Sequence, residues 1–210
     1  MRLREDELFL QRLTQYLPRS RKAALQKIDL NLKDAPIRLR IPLDQLCNTP
    51  FNPEDPAIEK IRKALTRHAE AGLLEAIVLP IAIGNHIDHL TVREAALPLL
   101  ATHPSAFYED LPYAATHPTS ATDLDNLLAT ANHLGQPLTS ILYPAKNATD
   151  AAPEDAAEAA ADRIARKRHL VLGYASQIEQ DAANTISAYA TNYNGAERLW
   201  ANPQWSSSLQ

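Results

Sequence analysis

The chain has 210 residues, 45% of them hydrophobic, and a formal net charge of -4 with acids and bases interspersed. That length suits one globular domain, residues 1–210, and the charge pattern excludes a nucleic-acid footprint and a polybasic membrane patch, which leaves small or neutral partners. The lone Cys47 allows no internal disulfide, the longest apolar run (73–83) falls short of the ~20 residues of a membrane span, and residues 1–6 lack the apolar stretch of a signal peptide, so the expected location is cytoplasmic.

Leu3, Leu10, Leu13 and Leu17 recur at helical spacing and predict an amphipathic helix ending at Pro18, so the chain opens inside a helix. Ile28, Leu30 and Leu32 alternate with polar residues, Asp34-Ala35-Pro36 reads as a turn, and Ile37, Leu39 and Ile41 alternate again, which predicts two short strands. After an Asn- and Pro-rich loop, Asp55 is placed to cap a helix with Pro56 at its first position. Ile58, Ile61 and Leu65 line one face of that helix, and Gly72 ends it. Residues 76–79 form a continuous apolar run, as in a strand covered on both faces by helices, and such strands belong to α/β folds.

A further helix is expected from near Thr91, with Pro98 kinking or ending it. Phe107-Tyr108 reads as a short strand, Thr122 as the cap of a helix that stops at Gly135, and residues 138–143 as a strand. Pro153 opens an Ala-rich helix with an acidic first turn and Arg163, Arg166, Lys167 and Arg168 later, in the sense favoured by the helix dipole and as expected of a solvated face. The tail from Ser206 is polar.

The segment with the most chemistry is Gly84-Asn85-His86-Ile87-Asp88-His89, where an apolar strand runs out into two histidines around an aspartate. Histidine and aspartate are the ligands of hydrolytic zinc, which takes three protein donors and leaves one position for water. The crevice beyond the carboxyl ends of strands is where open α/β sheets bind ligands. Spacing alone leaves two readings open, metal or catalytic chemistry and a helix cap by Asp88 beside exposed histidines.

Together with Phe107-Tyr108-Glu109-Asp110-Leu111-Pro112-Tyr113, this segment resembles the PIG-L (LmbE-like) family of zinc-dependent N-deacetylases. Weaker similarities lie at Arg4-Glu5-Asp6-Glu7, at Ile28-Asp29-Leu30 through Arg38, at Tyr174-Ala175-Ser176-Gln177 and at Glu197-Arg198-Leu199-Trp200. The resemblance implies a Rossmann-like α/β fold with a largely parallel sheet flanked by helices. It also implies His89 as a Zn2+ ligand, His86 as general acid or oxyanion stabiliser, and Asp88 as the carboxylate that orients His86. Asn85, Tyr108, Glu109 and Tyr113 would border the substrate, an N-acetylated sugar or related small amide.

The same resemblance calls for a His-Pro-Asp-Asp-Glu segment, with two more metal ligands and the general base, which this sequence does not contain. His103-Pro104-Ser105 and His117-Pro118-Thr119 share its first two residues only and read as surface loops, and His68, His133 and His169 read as structural. The expectation is therefore a domain truncated at its N-terminus, short of a first strand-helix-strand unit, that a separate N-terminal piece or a second copy accompanies. The alternative is a non-catalytic remnant or binding subunit of the same fold.

Overall fold

The computed structural model describes residues 2–17, 25–143 and 153–208. In chain order they form α1 (Arg2–Tyr16), α2 (Ala35–Leu39), α3 (Pro56–Glu70), β1 (Ile77–Pro80), α4 (Ile87–Ala96), β2 (Ser105–Tyr108), α5 (Tyr113–Thr116), α6 (Ser120–His133), β3 (Thr139–Tyr143), α7 (Pro153–Val171), α8 (Gln180–Thr191), β4 (Glu197–Ala201) and α9 (Pro203–Ser208). The chain is thus mixed α/β, with a four-stranded sheet in the order β1-β2-β4-β3 among the described residues. β1 and β2 run parallel, whereas β4 pairs antiparallel with β2, so the sheet is mixed rather than largely parallel. No helix among the described residues is long and apolar enough to cross a membrane.

The residues divide into two compact units, one of 1–28 with 142–197 and one of 29–141 with 198–210. In the first, Ala183, Ile186 and Ala190 bury one face of α8. Gly195 (φ 75°) lies so close to α7 that a Cβ there would stand 2.8 Å from that of Arg163. Glu5 of α1 is buried and accepts both the backbone N–H and the hydroxyl of Ser176, each at 2.6 Å. The basic residues of α7 are engaged at the surface, Arg166 with Asp162 and Lys167 with Glu197.

The second unit holds the sheet. Its main core gathers Ile77, Leu79 and Ile81 with Phe107, Leu100 from the turn after α4, and Leu127 of α6. Asp55 caps α3 as its position predicts, accepting Ala57 N–H at 2.9 Å, with Pro56 at the first helical position. Two expectations fail here. Residues 25–34 form no strand, and the second expected strand is the short helix α2. The alternating Leu30 and Leu32 instead pack on Ile58 and Ile61, so the pattern serves burial without a ladder, while Pro36 offers no donor to a strand and starts a helical turn on the Asp34 carbonyl. Burial along β1 is also one-sided: Val78 stays 49% exposed between buried Ile77 and Leu79. At the C-terminal side, α9 seats Trp205 against β2 and β4.

Candidate functional site

Between β1 and α4 the backbone takes three left-handed conformations in four residues, at Ala82 (φ 68°), Gly84 (φ 78°) and Asn85 (φ 56°). Glycine adopts this region without cost, but Ala82 and Asn85 do so only because their surroundings fix them. Two buried carboxylates supply that constraint on successive amides. Asp110, following β2, accepts Ile83 N–H at 3.0 Å, and Asp123, in the first turn of α6, accepts Gly84 N–H at 2.8 Å and Asn85 Nδ2–H at 3.2 Å. Arg93 adds a bond from its guanidinium to the Ile81 carbonyl at 2.7 Å. Gly84 is also sterically required, because a Cβ there would stand 3.2 Å from the Tyr113 ring and 3.3 Å from that of His117.

The turn delivers His86 as the N-cap of α4, four residues earlier than the periodicity of Val92, Ala95 and Leu99 suggests, so His89 falls within the first helical turn. The two rings lie 4.7 Å apart between centroids. His86 accepts the Asp88 N–H on Nδ1 at 3.3 Å, so the neutral ring carries its proton on Nε2. His89 is the reverse. Its Nδ1 stands 2.6 Å from Asp110 Oδ1, an ion-pair distance, both atoms are buried, and neither meets the geometry of a hydrogen bond with any partner among the described residues. A carboxylate only accepts, so Nδ1 holds the proton and Nε2 keeps its lone pair. Two neighbouring imidazoles are therefore set in opposite tautomers, one a donor and the other an acceptor at Nε2.

Asp88 reaches toward α2. Its carboxylate meets Arg38 Nη1 at 2.9 Å and Ala35 N–H at 3.2 Å, and Arg38 also binds Asp55 at 2.9 Å. Burial opposes the charge on Arg38, but the bonds to Asp88 and Asp55 outweigh it and raise the guanidinium above its ordinary range. Asp88 thus ties α2 to the start of α4, and the carboxylate behind an imidazole is Asp110, behind His89.

Of the four rim candidates, Tyr113 comes nearest the histidines, with ring centroids 6.3 Å from His86 and 6.5 Å from His89. Burial first, and then the neighbouring Cys47 thiol to which it is hydrogen-bonded, pushes its hydroxyl up to about 12; the Cys47 thiol is itself raised by burial. Asn85 is exposed at the turn. Glu109 is buried and bound by Arg198 and the Trp200 indole N–H. Tyr108 packs beside Ala106, Leu199 and Trp205, and burial raises its hydroxyl well above the ordinary range.

Asp110, Asp123 and His117 are the site residues that sequence reasoning passes over. Asp110 sits inside the quoted Tyr-Glu-Asp-Leu-Pro-Tyr segment, and nothing local distinguishes it from Glu109. Asp123 reads as an ordinary acidic residue of a first helical turn, and His117 as a loop. A hydrolytic zinc ion needs three protein ligands. Among the described residues no group of three His, Cys, Asp or Glu side chains is placed to hold an ion, so these residues do not make up a zinc centre by themselves. The chain matches no protein-family model, and neither a curated protein nor a solved structure matches it.

Proposed function

We propose that this protein works as a metal-dependent N-deacetylase on an N-acetylated sugar or related small amide. The observation that carries the reading is the pair of imidazoles, 4.7 Å apart at the carboxyl end of β1, with the buried Asp110 2.6 Å behind one of them. Amide hydrolysis needs a donor to the carbonyl oxygen, which the Nε2–H of neutral His86 can be, and a proton for the departing amine, which the same ring can give only from its imidazolium form, returning to neutral imidazole. His89 Nε2 is an acceptor of the kind that ligates Zn2+, since metal-bound histidines commonly give their other N–H to a carboxylate. The remaining donors in this reading come from a further polypeptide segment or a second copy of the chain, and the sheet belongs to a Rossmann-like domain in the same cytoplasmic enzyme.

The test is acetate release from N-acetylglucosamine, with the protein isolated alongside whatever chains accompany it in the cell and supplied with Zn2+. Release that stops in His86→Ala and in His89→Ala is the expected result, with zinc uptake lost only in His89→Ala. Sugar binding without release would overturn hydrolysis and leave a binding subunit of the same fold. Zinc uptake that survives His89→Ala would overturn the ligand assignment.

A further inference from the structure

A third imidazole stands near Tyr113. His117 is half-buried, its ring lies 6.5 Å from that of Tyr113, and its Cδ2 is one of the atoms that leave no room for a side chain at Gly84. Its Nδ1 is 2.8 Å from the Thr119 hydroxyl oxygen, and that hydroxyl is 2.7 Å from Asp123 Oδ2. Asp123 also takes the Gly84 and Asn85 N–H groups, so one carboxylate joins the motif turn to the Thr119–His117 chain.

The direction of these bonds follows from counting protons. Thr119 Oγ1 has one hydrogen, and Asp123, already accepting two N–H groups, is an acceptor. The hydroxyl proton therefore goes to Asp123, and the 2.8 Å contact with His117 needs its proton from Nδ1. The backbone N–H of Thr119 also meets Nδ1 at 3.4 Å, but here, unlike at His86, a far shorter contact of 2.8 Å is present and governs where the proton lies. The neutral ring is then protonated on Nδ1, and Nε2, which has no hydrogen-bond partner among the described residues, keeps its lone pair.

We propose that His117, fixed by the Thr119–Asp123 relay, is a ligand-positioning residue of the same site, with Nε2 accepting a hydroxyl or amide N–H from a sugar-like ligand. The assignment of the ligand class rests on the deacetylase reading, whereas the fixed tautomer does not. His86 offers a donor and His117 an acceptor, their rings 6.3 and 6.5 Å from that of Tyr113, so a polyhydroxylated amide has a partner for both kinds of group.

Long-range 1H–15N correlation spectra of the full chain, uniformly labelled, report the tautomer of each imidazole. The expected result is Nδ1–H for His117 and Nε2–H for His86. Thr119→Val should move His117 to Nε2–H and Thr119→Ser should restore Nδ1–H, which separates loss of the relay from loss of the fold. On titration with N-acetylglucosamine the Nε2 resonance of His117 should shift, and His117→Ala should weaken binding about fivefold, the worth of one hydrogen bond. A His117 found as Nε2–H in the unaltered chain overturns the inference whatever the sugar does. Shifts at His86 without any at His117 overturn it while sparing the deacetylase reading. A sugar that shifts no histidine refutes the ligand class of both, even with the tautomers as assigned.

Discussion

The helical unit and the sheet unit each bury a carboxylate, and the two are used differently. Glu5 takes two bonds from one exposed residue, Ser176, so it fastens a turn whose polar groups water could otherwise satisfy. Asp110, only 1% exposed, takes one bond from the strained turn at Ile83 and sets its other oxygen against the His89 imidazole. A buried carboxylate with donors from a surface loop holds structure. One that divides itself between a strained backbone and a titratable ring also fixes which nitrogen of that ring carries the proton.

This contrast is easiest to break by deletion. Asp110→Ala should leave the buried Ile83 N–H without a partner and remove the carboxylate that stands against His89 Nδ1. At about 1–3 kcal/mol for an orphaned group, and with the contact to His89 lost as well, a loss of roughly 3 kcal/mol is expected, lowering Tm by about 6–12 °C. Glu5→Ala should lose only about 1 kcal/mol, because water can take over at Ser176. Thermal unfolding of both variants checks the difference, and equal losses would end the distinction. Gly84→Ala falls between them. It forces an ordinary residue into φ 78° and pushes a methyl group against Tyr113 and His117, so about 2 kcal/mol is expected, readable in the same unfolding experiment.

The smallest effect is on tyrosine ionisation, and it sharpens the contrast from the side of pH. Tyr113 in one unit and Tyr174 in the other are both held up to about 12, burial being the main cause in each; after burial come the Cys47 thiol for Tyr113 and Asp6 for Tyr174. A folded pKa raised above the ordinary 10 means stability that is complete below pH 10 and is lost as pH climbs toward 12. Absorbance at alkaline pH should therefore show these two as late tyrosines among the seven, with Tyr108, which burial also raises, later still. Cys47→Ala should bring Tyr113 down alone and Asp6→Asn Tyr174 alone; a single variant that moves both would refute separate local causes.

How much of this was legible depends on whether the cause was local. The start of α3 could be read because Asp55 and Pro56 act on their own neighbours, and β1 because four consecutive apolar residues suit a buried strand. The alternation at Ile28–Leu32 and Ile37–Ile41 misled, since a strand exists only when another strand answers it, and here the apolar residues found a helix face instead. The face of α8 consists of Ala183, Ile186 and Ala190, whose small side chains give too weak an apolar signal to stand out. Within the site, His86 and His89 were visible from residue type alone. The roles of Asp88 and Asp110 were not, because each is decided by a partner far away in the chain: Arg38 is 50 residues from Asp88, and Asp110 meets the motif across the β1–β2 pair. His117 stayed hidden for the same reason, its meaning residing in Asp123 and in the space left by Gly84.

β1 stands at the end of the sheet order, and its exposed Val78 has a bearing on how the chain behaves among its own copies. The amides of Ile77 and Ile81 are turned inward to Pro104 and Tyr108, which by alternation turns residues 78 and 80 outward. Residue 80 is proline, so the outer side of this strand carries a single N–H, that of Val78. An incoming strand would find too few donors to continue a ladder there. A terminal strand with an apolar residue at its centre would otherwise invite edge-to-edge aggregation, and Pro80, placed just before the turn that shapes the histidine pair, keeps that edge closed to growth.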